Sequence, residues 1–525
     1  MDTHIRRSEW RWVAWFTLAL VAFSTLPALI AWAVTPQDAH FAGFVSNPID
    51  QQSYIAKMRQ GWNGSWRYRL AYTPEPTNGV YVYLLYLFLG QISRATRIPL
   101  LWTYHGVRVL GGVLLIPLCY RFAAQVSGNM QERRWATLLA GVSSGIGWLA
   151  TALGAMTPDL WVVEAITFYS IFTVPHFSLA MAAMLFILIQ LGRPERPPSL
   201  HQALLAASAS VALGIVQPFA VIPVYAAMAG FCMLQTWRDR RVPWQRVLMT
   251  GLAGAVAAIY PLYGMLALQA DPVMRFWSAQ NQTPSPPVWG WLAAYGIVAL
   301  LAIPGSVWAA RRRSDGDLLP LAWVIAAAVG VYAPIALQRR LIIGVHVPLC
   351  ALATLGWWQV IRPRLGGRWR DPVQRLIVGF SSLTNVFLVA ITIMAALGGE
   401  AWLYLSDGEY RAFEWLRQNA STDEVVLCAP QTGTFVPAWA GQRVVYGHPF
   451  ETVDAERREA QVEAYWTGEM NAADREAFLQ KSRVGYVLVG PRELEMGGGR
   501  LKTPVPEGET VFEAQNVRLY RIDEQ

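Results

Sequence analysis

Long apolar runs constrain the fold of this chain more than any other feature of its sequence. A run of about 20 apolar residues can cross a bilayer as a helix, and eleven such runs occur along the chain. They lie near residues 12–34, 100–122, 135–155, 167–191, 201–217, 219–236, 246–268, 289–310, 318–337, 346–361 and 376–397. Only 15% of the residues are charged, against about a quarter in soluble proteins. We therefore predict an α-helical polytopic membrane protein with about eleven transmembrane helices.

The arginine clusters predict how these helices are oriented. Lysine occurs only at Lys57, Lys481 and Lys502, so arginine supplies nearly all of the positive charge. The clusters between the apolar runs are Arg6/Arg7/Arg11, Arg133/Arg134, Arg193/Arg196, Arg238/Arg240/Arg241, Arg311/Arg312/Arg313 and Arg362/Arg364/Arg368/Arg370. All fall on one side of the membrane if the short run Gly79–Ile92 does not cross it. We predict a cytoplasmic N-terminus and an extracytoplasmic C-terminus in a bacterial plasma (inner) membrane. The partners that we expect include membrane lipids and no nucleic acid.

The run Gly79–Ile92 is too short to cross. Its 14 residues would make a helix about 21 Å long, at 1.5 Å per residue, whereas the hydrocarbon core is about 30 Å thick. We therefore expect it to lie flat at the outer interface, anchored by Tyr81, Tyr83 and Tyr86.

The chain is predicted to have two domains. Residues 1–398 form the membrane domain, whose first outer loop, 35–99, contains two juxtamembrane helices. Beyond residue 398 the charge rises, and β-type runs alternate with helical segments, which is typical of a small α/β domain. The β-type runs are 425–428, 443–446, 486–489 and 517–520, and the helical segments are 408–419, 455–466 and 472–481. We expect residues 399–525 to be an extracytoplasmic α/β domain.

The first outer loop contains the strongest candidate for a catalytic group. Asn47 and Pro48 predict a helix start, Gly61 predicts its end, and an apolar stripe that includes Tyr54 predicts that this helix lies on the membrane. Asp50 then falls in the first turn, where the helix dipole favours its ionised form. A carboxylate at the outer lipid boundary is suitably placed to accept a proton from an acceptor hydroxyl. The alternative is that Asp50 only supports the helix start.

The order of these elements resembles the GT-C class of glycosyltransferases, in particular protein O-mannosyltransferases and bacterial aminoarabinose transferases. The resemblance rests on a first membrane helix, an outer loop in which Asp50 begins the juxtamembrane segment DQQSYIAKMRQG, a second interfacial helix, and a membrane helix beginning near Val107 and Arg108. It implies a polyprenyl-phosphate sugar donor used on the outer membrane face. It also implies that Asp50 is the catalytic base.

The resemblance implies an acidic residue near the start of the fourth spanning helix, where this chain has His176. We expect His176 to hydrogen-bond a sugar hydroxyl or the carboxylate of Asp50, and a packing role is the alternative. Glu164, in the loop 159–168, is the other candidate for the acidic role, with an ordinary solvated carboxylate as the alternative.

A second similarity lies in the segment QRRLIIGVHVPL, residues 338–349. It resembles the part of the GT-C enzymes in which a basic residue leads into a proline-containing helix that faces the lipid phosphate. Arg339 and Arg340 are cations on the outer face, and guanidinium groups suit phosphate. The alternative is contact with ordinary anionic lipid headgroups. His346 is a candidate partner for the arginines, and Arg108 is placed to reach either phosphate or Asp50.

The remaining candidates are weaker. Trp277 and Asn281 combine an aromatic face with an amide, which suits a sugar ring but suits an ordinary loop equally well. His448, Glu451 and Asp454 lie close in sequence, but their spacing matches no metal motif, and we assign no metal ligand. The oligosaccharyl branch of the class uses a divalent ion and the mannosyl branch resembles a metal-free design, so a divalent cation stays open.

These observations favour an inverting hexosyl or pentosyl transferase of the cell envelope, with a protein, lipid or glycan as acceptor. A lipid or sugar transporter or flippase is the main alternative. It is disfavoured because the sequence has no inverted repeat and the charges gather at the outer face rather than at mid-helix. A non-catalytic membrane assembly protein is the third hypothesis.

Overall fold

The computed structural model describes residues 5–502 and 508–522, and most of these residues are helical. The helices up to residue 397 are α1 (Arg7–Ala33), α2 (Pro48–Trp62), α3 (Leu84–Thr96), α4 (Leu100–Val126), α5 (Met130–Val142), α6 (Gly147–Ala152), α7 (Thr167–Thr173), α8 (Pro175–Leu191), α9 (Leu200–Val216), α10 (Val221–Asp239), α11 (Trp244–Ala270), α12 (Pro272–Gln280), α13 (Val288–Arg312), α14 (Asp315–Gly330), α15 (His346–Leu355) and α16 (Gly367–Leu397). The later helices are α17 (Asp407–Asn419), α18 (Pro430–Trp439), α19 (Ala455–Thr467), α20 (Ala472–Lys481) and α21 (Pro491–Met496).

Six helical stretches in the described part of the chain are long and apolar enough to cross a membrane. They are α1, α4, α10 with its preceding turn, α11, α13 and α16. The helices α8 and α9 are apolar but shorter, and the other predicted runs form shorter or interrupted helices. The run 346–361, for instance, is α15 followed by a π-helical turn at Gly356–Ile361. The number of eleven crossings therefore stays a prediction.

The predicted run 135–155 is interrupted by a break between α5 and α6. The N–H of Ser144 donates to the carbonyl of Ser381 instead of continuing the helix. A Cβ atom at Gly145 would lie 2.0 Å from the carbonyl oxygen of Ala293, so only glycine fits there. Tertiary packing, which apolar periodicity does not report, ends this helix.

The described chain divides into two compact units. The first unit contains Met1–Leu26, His105–Leu262 and Gln282–Thr392, and the second contains Pro27–Tyr104, Tyr263–Asn281 and Ile393–Gln525. The second unit thus contains the first loop together with the C-terminal segment. The separate domain predicted at 399–525 stays a prediction.

Charged helix ends meet inside the first unit. Ion pairs join α1 to α5, α13 to α14, and α10 to α14. These pairs are Glu9–Arg133 (3.3 Å), Arg312–Asp317 (3.4 Å) and Arg238–Asp315 (2.7 Å). Glu132 of α5 also lies close enough to Arg312 for their charges to interact. Four of the predicted arginine clusters therefore lie at helix ends that these charged contacts connect. The N-terminal cluster is one of them, because Glu9 lies within it on α1.

The second unit contains two β-sheets. A two-stranded sheet pairs β1 (Ala39–Phe41) antiparallel with β2 (Tyr404–Ser406). A five-stranded mixed sheet has the order β4-β3-β5-β7-β6. Its strands are β3 (Val425–Leu427), β4 (Arg443–Val444), β5 (Val484–Val489), β6 (Glu509–Ala514) and β7 (Val517–Arg521). The four predicted strands and three predicted helices of the C-terminal segment are confirmed, whereas β2, β6, α18 and α21 were not predicted.

Helix α2 begins at Pro48 as predicted, but its surroundings differ from the prediction. Asn47 occupies the N-cap position in a left-handed conformation, and its side chain makes no hydrogen bond to the backbone of the helix. The helix also continues past Gly61 to Trp62. Polar residues such as Gln52 and Lys57 are buried together with Ile55 and Met58 of the apolar stripe, and α3 and α18 both pack against α2. The helix is therefore covered on more than the one predicted face.

The run Gly79–Ile92 forms its helix later than expected, at Leu84–Thr96. Tyr86 was predicted as an interfacial anchor, but it is buried, with its ring stacked on Tyr54 at a centroid distance of 4.6 Å. Tyr81 is exposed, as an anchor requires. Helix α3 thus turns its tyrosine toward α2 rather than toward the membrane.

Two glycines set the close approach of α2 and α3. A Cβ at Gly90 would lie 2.0 Å from the carbonyl oxygen of Met58, and a Cβ at Gly61 would lie 2.1 Å from that of Leu87. Backbone atoms cannot yield as a flexible side chain can, so a larger residue at either position forces the helices apart. The position of Asp50 on α2 depends on this packing.

We predict that Gly90→Ala lowers the stability of the protein by about 1–3 kcal/mol, because the added methyl group clashes with backbone. Thermal unfolding in detergent measures the effect. Gly251→Ala is the matched control, since its position in α11 has nothing within 4 Å and alanine is the better helix former. Equal thermal midpoints for the two variants would contradict this account of the α2–α3 packing.

Candidate functional site

Asp50 lies in the second unit, in the first turn of α2, and both of its carboxylate oxygens have partners. The side-chain amide of Asn47 donates to Oδ2 at 2.7 Å. Oδ1 lies 3.2 Å from Nε2 of His448. The side chain is nevertheless 41% exposed. Asp50 is thus a fixed carboxylate that a substrate can still reach.

His448, the partner of Asp50, is 2% exposed. Its Nδ1 accepts hydrogen bonds from the N–H groups of Phe450 at 3.0 Å and Glu451 at 3.2 Å. Because Nδ1 is an acceptor, the neutral ring carries its proton on Nε2 and donates it to Asp50. Sequence reasoning noted His448 but missed this pairing, because the two residues are 398 positions apart and the local sequence has no signal for it.

A buried ion pair holds the loop that follows His448. Nζ of Lys57 lies 2.8 Å from Oε1 of Glu451, and the hydroxyl of Tyr68 donates to the other carboxylate oxygen. Burial acts to raise the pKa of Glu451, but the charge of Lys57 and the hydrogen bonds from Lys57 and Tyr68 outweigh it, so this pKa is lowered. Burial and the charge of Glu451 raise the pKa of Tyr68 well above its ordinary value. Glu451 is therefore a carboxylate, with Tyr68 as a neutral donor.

Trp277 and Asn281, predicted to bind a sugar ring, contact the same loop in the second unit. The indole N–H of Trp277 donates to the carbonyl of Phe450 at 2.8 Å, and the amide of Asn281 donates to it at 3.0 Å. Gln280 donates to the carbonyl of Thr452. The loop from His448 to Asp454, hereafter the 448–454 loop, is thus attached to α12 and to Asn281, the residue that follows this helix. Because the indole N–H of Trp277 and the amide of Asn281 both hold this loop, a structural role is favoured for these two residues.

Tyr54, predicted to bind substrate, lies on α2 one turn after Asp50 and is partly buried. Its ring stacks on Tyr86 with an interplanar angle of 12°. Nζ of Lys57 lies 5.3 Å from the centroid of the Tyr54 ring. Tyr54 thus packs beside the ion pair, and its contact with substrate stays a prediction.

Glu164 and the two outer arginines lie on adjoining turns of the first unit. Glu164 belongs to the 3₁₀ turn Val163–Ala165 and is 4% exposed, which contradicts the alternative of a solvated loop carboxylate. This turn packs against the 3₁₀ turn Gln338–Ile342, which carries Arg339 and Arg340. Oε1 of Glu164 has no hydrogen-bond partner among the described residues. The two turns that carry the predicted acidic and basic residues are therefore neighbours in the first unit.

Aromatic rings support both of these arginines. The guanidinium carbon of Arg339 lies 4.8 Å from the ring centroid of Trp161, and that of Arg340 lies 5.5 Å from that of Phe219. A cation–π contact of this kind favours a fixed position of the guanidinium group, whose planar shape suits phosphate. Both side chains are partly buried, so they are held against the protein.

Arg108 and His346 are buried in the first unit and have protein partners. The guanidinium of Arg108 donates to the carbonyl of Ile171 at 2.8 Å and to the hydroxyl of Thr25 at 2.9 Å. Nδ1 of His346 accepts from the N–H of Thr167, and its Nε2 lies 3.0 Å from the hydroxyl of Ser143. These contacts favour packing roles, and substrate contact by either residue stays a prediction.

His176 follows Pro175 in the first turn of α8 in the first unit and is buried. Its ring centroid lies 4.2 Å from that of Phe177. Burial against an aromatic neighbour agrees with the packing alternative for this residue. Its proposed hydrogen bond to a sugar hydroxyl or to Asp50 stays a prediction.

Metal ligands were not assigned from the sequence. Within residues 5–502 and 508–522, no three His, Cys, Asp or Glu side chains are grouped so that they could hold a metal ion. The four cysteines are buried and free.

Comparisons with known proteins add information on the fold. No family model and no curated protein matches the sequence. Among solved structures, the arabinofuranosyltransferase AftD from Mycobacteria aligns with all of this chain at a TM-score of 0.55 and 14% identity, and this chain covers 40% of AftD. ArnT from Cupriavidus metallidurans, bound to undecaprenyl phosphate, aligns at a TM-score of 0.50 and 12% identity, over 96% of this chain and 97% of ArnT.

A third similar structure is the apo oligosaccharyltransferase of Archaeoglobus fulgidus. It aligns at a TM-score of 0.50 and 14% identity, over 93% of this chain and 72% of that one. The chain has a GT-C-type fold. The order of elements around Asp50 predicted a resemblance to the GT-C class, and the solved structures confirm this prediction at the level of the fold.

We predict that Glu451→Gln destabilises the protein by about 3–5 kcal/mol at neutral pH, because Lys57 would stay buried without its counter-charge. The pKa of Glu451 is lowered from its ordinary value of 4.5. The ion pair therefore stabilises the fold fully above pH 4.5, and this contribution is lost as the pH falls through the lowered pKa. The difference in thermal midpoint between wild type and variant should narrow below that pH.

The control for this measurement is Glu456→Gln, which changes an exposed carboxylate of α19 and should shift stability by no more than about 0.5 kcal/mol. A Glu451→Gln protein as stable at neutral pH as the control would show that the pair contributes nothing.

Proposed function

We propose that this chain is a membrane glycosyltransferase that moves a sugar from a polyprenyl-phosphate donor to a hydroxyl group of a protein, lipid or glycan on the outer face of a bacterial plasma membrane. The observation that carries the proposal is Asp50, a carboxylate held by His448 and Asn47 yet 41% exposed, in a chain with a GT-C-type fold. A substrate hydroxyl can reach such a group, and a carboxylate is a suitable base.

In the proposed reaction, Asp50 accepts the proton of the acceptor hydroxyl. The acceptor oxygen forms a bond to the anomeric carbon of the sugar while the bond from that carbon to the phosphate oxygen breaks. Polyprenyl phosphate leaves with the electron pair of the broken bond. A single displacement of this kind inverts the configuration at the anomeric carbon. Positioning of the reactants contributes much of the rate.

We assign the phosphate of the donor to Arg339 and Arg340. Their guanidinium groups are supported by Trp161 and Phe219, and charge-assisted hydrogen bonds from arginine stabilise a phosphate as it leaves. The solved ArnT structure contains undecaprenyl phosphate, which favours the same class of lipid here. Glu164 or His176 would orient the sugar or the acceptor, and the unpartnered Oε1 of Glu164 supports the first choice.

We further propose that the chain crosses the membrane about eleven times, with its N-terminus in the cytoplasm and its C-terminal segment outside. The positive-inside rule and the ion pairs that connect arginine-bearing helix ends support this orientation. An introduced cysteine at Ser421 should react with an impermeant maleimide in bacterial spheroplasts, whereas one at Arg241 should react only after permeabilisation. The native cysteines are buried and give little background. The reverse labelling pattern would overturn the orientation.

Transfer from radiolabelled polyprenyl-phosphate hexoses and pentoses to acceptors in a membrane extract tests the function. We predict that the purified wild-type protein transfers at least one of these sugars. Asp50→Asn should lower the rate of sugar transfer about 100-fold or more, because general base catalysis typically contributes a factor of 10²–10⁴. The variant should still bind the donor. Simultaneous replacement of Arg339 and Arg340 by methionine should abolish donor retention.

The controls are Asp38→Asn and Arg500→Met, which change an exposed carboxylate and an exposed guanidinium group of the second unit. Both should transfer at the wild-type rate. Equal transfer by wild type and Asp50→Asn would remove Asp50 as the base. No retention or consumption of any donor by the wild type would overturn the glycosyltransferase proposal and favour a transporter.

A further inference from the structure

We propose that His448 is a positioning residue for Asp50, so that a side chain of the C-terminal segment orients the base of the first loop. This inference rests on the proposed function. Nε2 of His448 and Oδ1 of Asp50 are 3.2 Å apart. The imidazole is buried, whereas the carboxylate is partly exposed, so the contact fixes a carboxylate that a substrate can still reach.

The backbone of the 448–454 loop determines the direction of this hydrogen bond. The N–H groups of Phe450 and Glu451 both donate to Nδ1 of His448. A ring nitrogen that accepts these bonds cannot also carry the proton of the neutral imidazole, so that proton lies on Nε2. His448 is thus a fixed donor to Asp50 rather than a competing base.

The loop itself is held from two sides within the second unit. Glu451 is paired with Lys57 of α2, the helix that carries Asp50, so the same two segments that bring His448 to Asp50 are joined a second time. On the other side, Trp277 donates to the carbonyl of Phe450. With the loop attached through Phe450 and Glu451, the imidazole cannot turn away from Asp50 without losing the N–H groups that donate to its Nδ1.

Charged and titratable groups lie on both sides of the His448 ring. Asp50 faces Nε2, and the N–H of Glu451 donates to Nδ1. The ring of Tyr72 lies 5.6 Å from that of His448, centroid to centroid, and Lys57 lies beyond Glu451. A hydrogen bond from a neutral donor favours the ionised form of a carboxylate. Loss of the donor should therefore make Asp50 harder to ionise as well as less well oriented.

The variants His448→Asn and His448→Gln separate orientation from folding. The asparagine side chain is long enough to accept the N–H groups of Phe450 and Glu451, which preserves the loop, but too short to reach Asp50. Glutamine places an amide donor near the position of Nε2. We predict that His448→Asn lowers kcat about 10–100-fold, leaves the KM for the donor within about twofold, and moves the acid limb of the kcat–pH profile to higher pH. His448→Gln should recover most of kcat and the wild-type acid limb.

The matched control is His40→Asn, since Nε2 of His40 lies 3.2 Å from Oδ1 of Asp407 in the same unit. This control should leave kcat and its pH profile unchanged. Wild-type kcat and an unmoved acid limb in His448→Asn would overturn the positioning role while the proposed function stands. Failure of the wild type to transfer any sugar would overturn both. A His448→Gln protein as impaired as His448→Asn would also contradict the role of the Nε2 donor.

Discussion

The buried ion pair between Lys57 and Glu451 connects residues that are 394 positions apart in the chain. Removing one partner of such a pair leaves an uncompensated charge and typically costs about 3–5 kcal/mol, so α2 and the 448–454 loop are strongly coupled. The N–H of Glu451 also donates to His448, which faces Asp50. The surroundings of the candidate base therefore depend on this one electrostatic contact, on the hydroxyl of Tyr68 that completes it, and on the close packing of α2 against α3.

Much of the local structure could be predicted because it depends on local patterns. Proline after Asn47 predicted the start of α2, and the short runs of β-branched residues in the C-terminal segment predicted β3, β4, β5 and β7. Helix α18 was not predicted, because Gly433 and Pro437 lower its helix propensity. Its Trp439 donates to the buried Gln52 of α2, a contact that the apolar stripe did not predict.

The site could be predicted only in part, because polar groups do not reveal their partners in a sequence. An indole N–H or an amide hydrogen-bonds a sugar or a carbonyl equally well, so Trp277 and Asn281 suited a sugar ring and an ordinary loop alike, and in the structure they donate to the carbonyl of Phe450. Glu164 was given a solvated alternative because its segment is short and loop-like, yet tertiary packing buries it. The position of Asp50 in the first turn of α2 could be predicted because it is a local feature, whereas its partner His448 depends on the tertiary fold.

The central claim is that Asp50 is the base of a sugar transfer, and an experimental structure of the Asp50→Asn protein with a polyprenyl-phosphate sugar bound tests it most directly. The acceptor oxygen must approach both the base and the anomeric carbon to about 3 Å. The account therefore predicts that the anomeric carbon lies within about 6 Å of the side-chain amide at position 50. A donor bound with its anomeric carbon far beyond that distance, and with other side chains around the reacting atoms, would contradict it.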